Sequence, residues 1–170
     1  MSSQEQYIRT EYPVIDSDPH FSRVVRYMRG SDYVAWGALT AGGPAVLLAL
    51  ERIRPGAGPK GINFALGCAT ALGFMGGFLY SYQKSSLRFW GWDENAREQG
   101  MNRTEMQARA DKGLPAYGEA TMDEAAQAAA ARNSKYAALK FSAIPWFNTT
   151  NHKFHLSENT TNAAAVQSDK

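Results

Sequence analysis

The chain has 170 residues, of which 18 are Lys or Arg and 16 are Asp or Glu, leaving a formal charge of +2. That length suits one ordinary domain, and the charge is too mild and too scattered for a nucleic-acid surface, so nucleic acid is set aside as a partner. The mean hydropathy of -0.41 resembles that of a soluble protein only because two apolar segments are averaged with very polar flanks.

Residues 1 to 20 are polar and broken by Pro13 and Pro19, with Asp16, Ser17 and Asp18 between them. This composition predicts an extended arm that needs a partner surface to order it. The N-terminus has neither the apolar core of a secretory signal nor the Arg-rich, acid-poor character of a cleaved transit peptide. Any address is therefore expected to be internal, in the apolar spans and their flanking charges. From Phe21 to Arg29, the residues Phe21, Val24, Val25 and Met28 recur at helical spacing with Arg23, Arg26 and Arg29 between them. The pattern suits a short amphipathic helix, either at a membrane surface with its arginines near lipid phosphates or packed on a protein neighbour.

Gly30, Ser31 and Asp32 supply a break and an N-cap before Tyr33 to Leu50, a run free of charge. Tyr33 and Trp36 sit where interfacial aromatics belong, and Glu51, Arg52 and Arg54 can hold the other end at the headgroups. The run is a first candidate span, set at about residues 33–52, with Pro44 expected to kink it. Gly37, Ala41, Ala45 and Ala49 form a ladder of small residues at every fourth position. The connection from Arg54 to Lys60 is short and rich in Pro and Gly, so the next span must return antiparallel. Both termini then lie on one side of the membrane.

Gly61 to Tyr80 is the second charge-free run, and its twenty residues reach about 30 Å as a helix, the thickness of a bilayer's hydrocarbon core. The span is set at about residues 61–82. Ala65, Ala69, Gly73, Gly77 and Ser81 repeat every fourth residue, and Gly73 with Gly77 is a GxxxG pair. Lipid tails are as apolar as leucine, so helices in a membrane associate largely by close van der Waals approach, which small residues permit. Gly37, Ala41, Ala45, Ala69, Gly73 and Gly77 are therefore the expected helix-packing positions. The ladders match one another, although each could equally face a third protein. The positive-inside rule favours the termini on the cytoplasm-like face, the flanks offering Arg23, Arg26, Arg29, Lys84, Arg88 and Arg97 against Arg52, Arg54 and Lys60 in the loop.

Beyond Tyr80, the aromatic residues Tyr82, Phe89, Trp90 and Trp92 interleave with Lys84 and Arg88, which reads as an exit along the interface. Asn102 with Glu105 predicts a capping box for a helix running to Lys112, ended by Gly113 and Pro115. Thr121 with Glu124 predicts the cap of a longer, Ala-rich helix over 122–140, with Pro145 closing it. Alanine offers little area to anchor a core, so this helix is expected on another subunit. Trp36, Trp90, Trp92, Trp146 and Phe147 are the expected partner contacts. The residues from about Ser157 onward read as loose.

Chemistry inside the membrane would need an ionisable group there, and neither charge-free run holds one, so ion or proton translocation by this hairpin alone is not expected. His152 and His155 stand three apart with no carboxylate or thiol cluster beside them in sequence, and a polar surface pair is preferred to a metal site. The single Cys68 cannot form an intrachain disulfide. Asn102, Asn148 and Asn159 open N-x-Thr tripeptides, given little weight without a signal peptide. No catalytic, cofactor-binding or metal residue is assigned.

The arm TEYPVIDSDPHFSRVVRYMRGSDY, the post-span LRFWGWDENAREQGMNRTEM and the closing KYAALKFSAIPWFNTTNHKFH together resemble the NADH:ubiquinone oxidoreductase 21 kDa subunit family, fungal accessory subunits of respiratory complex I. The resemblance runs from about residue 8 to residue 156. It implies a supernumerary, non-catalytic subunit of the mitochondrial inner membrane, held in the membrane arm by other complex I membrane-arm subunits and membrane lipids. It implies no flavin, iron-sulfur or quinone ligand in this chain, with a bound phospholipid allowed.

The reading is an all-α membrane protein: an N-terminal arm with an amphipathic segment over 1–32, a transmembrane hairpin over 33–82, and a polar helical and extended C-terminal region over 83–170. It supports assembly or stability of a complex, with both termini on the matrix side. The alternatives are a small pore or translocase component of an organellar membrane and, less favoured, a membrane enzyme built on His152 and His155.

Overall fold

A computed structural model describes residues 10–56, 58–136 and 147–155. Among the described residues every regular element is a helix: α1 (Phe21–Arg26), α2 (Gly30–Ile53), α3 (Pro59–Phe89), α4 (Ala96–Asp111) and α5 (Glu124–Ser134). The two long ones form an antiparallel hairpin, with α2 packed along α3 and α1 laid against α3.

Both apolar runs lie within α2 and α3, and almost none of either run is buried inside the chain. A long helix in the core of a soluble protein would be covered. Here Val34, Val46, Leu50, Phe64, Leu72 and Met75 all stand open. An apolar surface of that extent calls for lipid or for neighbouring protein. The helix α2 continues through Pro44 without interruption.

The helix α3 has 31 residues, about 46 Å of rise, and so outruns the hydrocarbon thickness. Its last turns leave the apolar zone and become the centre of a small polar-lined body at the base of the hairpin. Tyr82, Phe89 and Trp90 are buried there with Ile15, Val24, Tyr27 and Met28, and Phe21, Phe78, Met101, Tyr136 and Phe147 pack around them. Tyr82 and its neighbours thus serve the chain's own core and do not lie along the interface.

The N-terminal arm finds its surface in the same chain. Tyr12 N donates to Gly91 O at 3.0 Å and Ile15 N to Phe89 O at 2.9 Å, which lays the arm against the end of α3. Gly91 has φ +73°, and a Cβ there would stand 2.2 Å from Tyr12 O, so only glycine allows both the turn and this approach.

Two helix starts differ from the sequence expectation. The helix α4 begins at Ala96, not near Asn102, because Glu94 Oε1 accepts from Ala96 N at 2.8 Å and relieves its first turn. Asn102 and Glu105 are mid-helix, with their side chains turned to arginines of α1. Asp123, not Thr121, caps α5, its Oδ1 accepting from Ala126 N at 3.1 Å. That helix ends at Ser134, where Tyr136 takes φ +52°. The expected continuation to residue 140 and the closing Pro145 lie outside the described residues.

Candidate functional site

The hairpin seam comes first. A Cβ on Gly73 would stand 2.5 Å from Leu39 O and 3.1 Å from Thr40 Cα, and one on Gly77 would meet Trp36 Cδ1 at 2.8 Å. A Cβ on Gly43 would stand 3.1 Å from the Ala69 carbonyl oxygen. Trp36 Nε1 donates to Phe74 O at 2.9 Å, fixing the register of the two helices. The seam is therefore built by Ala69, Gly73 and Gly77 on α3 against Trp36, Leu39, Thr40 and Gly43 on α2.

The ladder Gly37, Ala41, Ala45 lies beside this seam and not in it. Gly37 has nothing within 4 Å of an added Cβ, and Ala41 and Ala45 are exposed. The offset follows from Trp36: its indole needs the smooth surface at Gly77, and placing it there turns the neighbouring positions outward.

The base is polar and interlocked. Glu98, Asn102 and Glu105 fall three or four residues apart and share one face of α4, with Glu94 just before its start. Facing them are the arginines of the segment before α2. Arg29 pairs with Glu98 at 2.6 Å and Glu94 at 2.9 Å. Arg26 pairs with Glu105 at 2.8 Å, and Arg23 with Glu105 at 3.3 Å and Asp16 at 2.9 Å. Arg88, near the end of α3, pairs with Asp32 in the first turn of α2 and lies 3.5 Å from Glu98. Arg23, Arg88, Asp32 and Glu98 are all buried. Arg23, Arg26 and Arg29 thus meet carboxylates 65 to 82 residues distant in the same chain.

The charge states follow. Burial pushes the carboxyls of Glu98 and Glu105 up, but the hydrogen bond from Arg29 to Glu98, and those from Tyr27 and Arg23 to Glu105, outweigh it, so both sit below the ordinary glutamate value. Burial, reinforced by its bond to Glu105, raises the Tyr27 hydroxyl to about 12. Burial alone would lower Arg23, yet Asp16, Tyr27 and Glu105 together hold it above its usual value.

A second fastening joins the two distant ends. His152 Nε2 lies 2.7 Å from Asp18 Oδ2, and His155 Nδ1 lies 2.7 Å from Asp16 Oδ1. Asn148 Nδ2 donates to Asp18 O at 3.0 Å, and Ser134 Oγ also reaches Asp18. Both histidines are buried, with rings stacked 4.4 Å apart, which corrects the expectation of a surface pair. The physical reason is that Asp16 and Asp18, buried in the arm, require partners, and these histidines supply them. Among the described residues no three His, Cys, Asp or Glu side chains are grouped as metal ligands would be.

The predicted partner contacts divide. Trp36 is in the hairpin seam, Trp90 is buried with its ring edge-on to Tyr136 at 5.6 Å, and Phe147 packs on Phe21 at 5.2 Å and Tyr82 at 4.9 Å. All three cover the chain's own surfaces. Trp92 is 48% exposed and remains free to meet a neighbour. Trp146 lies outside the described residues. Asn102 Oδ1 accepts from Arg23, and Asn148 Nδ2 donates to Asp18 O. Cys68 is exposed on α3.

Sequence reasoning missed the role of Asp16, Asp18 and Glu98. The signal was present: acidic residues at helical spacing over 94–105 match the Arg23, Arg26, Arg29 series in both sign and pitch.

Residues 9–94 match the family model described as NADH-ubiquinone oxidoreductase complex I, 21 kDa subunit. Residues 103–161 match that of the C-terminal of NADH-ubiquinone oxidoreductase 21 kDa subunit. The first match takes in the arm and the hairpin, and the second begins inside α4. The NADH-ubiquinone oxidoreductase 20.9 kDa subunit of Neurospora crassa is 49% identical over 149 residues, which cover 87% of this chain and 79% of that protein.

Proposed function

The chain belongs to the NADH-ubiquinone oxidoreductase 21 kDa subunit family, and from that premise we propose that it works as a non-catalytic clamp within complex I. It is an accessory subunit of the NADH:ubiquinone oxidoreductase of the mitochondrial inner membrane, in association with other subunits of that complex. Its own part is structural: the hairpin is held among membrane-arm subunits, and the base braces it from one side. The observation that carries this reading is the contrast between the two halves of the chain. The base pairs its buried charges internally, whereas α2 and α3 leave their apolar flanks and the Gly37, Ala41, Ala45 ladder uncovered. Surfaces of that kind are finished by neighbours.

Catalytic participation would need ionisable or redox groups along the hairpin. The charged residues of α2 and α3 cluster at their ends: Asp32, Glu51 and Arg52 on α2, Lys60, Lys84 and Arg88 on α3. We place the base, with both ends of the chain, on the matrix side, since the flanks carry more Lys and Arg than the loop. Phospholipid is expected against Phe64, Leu72 and Met75.

Deletion of the chain tests the reading. The expected result is less assembled complex on native gels, with NADH:ubiquinone turnover per assembled complex retained. Full assembly with turnover lost would overturn the non-catalytic role, and recovery of the tagged chain free of NADH dehydrogenase would overturn the clamp.

A further inference from the structure

The two ends of the hairpin treat their cations in opposite ways. At the base, Arg23, Arg26, Arg29, Lys84 and Arg88 each lie on a carboxylate of the same chain. At the far end, Arg52, Arg54 and Lys60 are exposed and meet no carboxylate among the described residues. Glu51 is the only acidic residue between Tyr33 and Trp92, and its Oε1 turns back into the loop to accept from Gly56 N at 3.0 Å.

The position of these cations is fixed by the runs on either side. The first apolar run ends at Leu50 and the second begins at Gly61, so Arg52, Arg54 and Lys60 stand at the level of the headgroups. The C-terminus of α2 and the N-terminus of α3 meet here, and their dipole ends, opposite in sign, largely cancel. The field is left to the side chains, and three cations against one carboxylate make it positive. Ile53, between the two arginines, is 80% exposed. Cations interleaved with an open apolar side chain gain twice at an anionic bilayer, from the phosphates and from the acyl boundary beneath them.

We propose that the hairpin loop binds the headgroups of anionic phospholipids, and that the chain's preference for such lipids resides at this end alone. The lipid phosphates accept from Arg52, Arg54 and Lys60. A zwitterionic headgroup carries its own ammonium and gains less. The base adds little, although it is richer in arginine, because Asp16, Asp32, Glu98 and Glu105 already engage its cations. The inference rests on the hairpin's crossing a bilayer and not on its place in complex I.

The test uses the full chain reconstituted in phosphatidylcholine vesicles with a trace of spin-labelled phosphatidylglycerol or spin-labelled phosphatidylcholine. The motionally restricted fraction of each label gives their relative association with the protein. Expected is a preference for phosphatidylglycerol of about fivefold, the gain from about one cation at an anionic surface, shrinking toward unity in high salt. Arg52→Gln, Arg54→Gln and Lys60→Gln combined should bring the ratio near unity. Arg103→Gln with Lys112→Gln, at exposed positions of the base, should leave it unchanged. If the triple variant does not reconstitute, Lys60→Gln alone should still lower the ratio by about twofold. Equal association of the two lipids, a preference that survives the triple variant or Lys60→Gln, or one lost in the Arg103 and Lys112 pair would overturn the proposal. Equal association together with loss of the triple variant from assembled complex would overturn it in favour of an acidic protein neighbour at the loop. The vesicles contain no other subunit, so these outcomes are independent of the native-gel test of the clamp.

Discussion

Gly73 and Leu39 touch backbone to backbone across the hairpin: an added Cβ on Gly73 would stand 2.5 Å from the Leu39 carbonyl oxygen. No rotamer change can relieve such an overlap. Gly73→Ala is therefore expected to destabilise the hairpin by about 1–3 kcal/mol, the usual range for forced overpacking. Gly76 has open space around it, so Gly76→Ala should have little effect. Thermal unfolding of the two variants in detergent, with the amount of chain recovered in assembled complex, checks the contrast.

Glu98 is fully buried and contacts Arg29, Arg88 and Arg97, so its loss leaves cations without their partner. Glu98→Gln should cost about 3–5 kcal/mol, as expected when one member of a buried ion pair is removed. Glu94, half-exposed and paired to the same Arg29, should tolerate Glu94→Gln with little loss. Denaturant unfolding of the base, followed by the fluorescence of buried Trp90, reads both.

The acid limb of stability should belong to Glu98 and Glu105. Both have folded pKa values below the unfolded one, so their contribution is complete above about pH 4.3 and is lost as pH falls through the lowered values. Tyr27 acts with the opposite sign. Its folded pKa of about 12 lies above the free value, so its contribution holds below about pH 10 and disappears as pH rises through 12. Melting curves across this range should fall at both ends, and Glu105→Gln should flatten the acid limb while removing part of the Tyr27 shift.

Asp18 fastens residues 147–155 to the arm through its carboxylate on His152 and its backbone carbonyl on Asn148, and its carboxylate also holds Ser134 of α5. Asp18→Ala is expected to free this segment locally, at about 1–3 kcal/mol for buried groups left unpaired. Hydrogen exchange should show lost protection near residues 148–155 and unchanged protection in α2 and α3.

The loop between the spans should face away from the base. In a Cys68→Ser background, Gly56→Cys is expected to react with an impermeant maleimide from the intermembrane side of intact inner membrane. Reaction only after the membrane is opened would reverse the orientation.

The spans were legible because a bilayer imposes a length, and charge-free runs of 18 and 20 residues meet it. The hairpin turn was legible from its Pro and Gly. The seam was half legible: Gly73 and Gly77 were visible as small residues, but the α2 side is governed by the single bulky Trp36, which a search for small residues passes over. The base was not legible. Its arginines and carboxylates lie some 80 residues apart in sequence, and a charge series looks the same whether it faces headgroups or a distant helix. His152 and His155 were misplaced for the same reason, since the demand for them arises from buried Asp16 and Asp18 in a segment that reads as an extended arm.

The unbroken passage of α3 from lipid into the base makes it a lever with no joint. A twist or tilt imposed on the hairpin by the surrounding bilayer or by an adjacent subunit must also turn Phe89, Trp90 and the arm bonded to them. A change in leaflet thickness would thus be felt on the aqueous side, and a protein gripping the base could in turn steer the angle at which the hairpin stands.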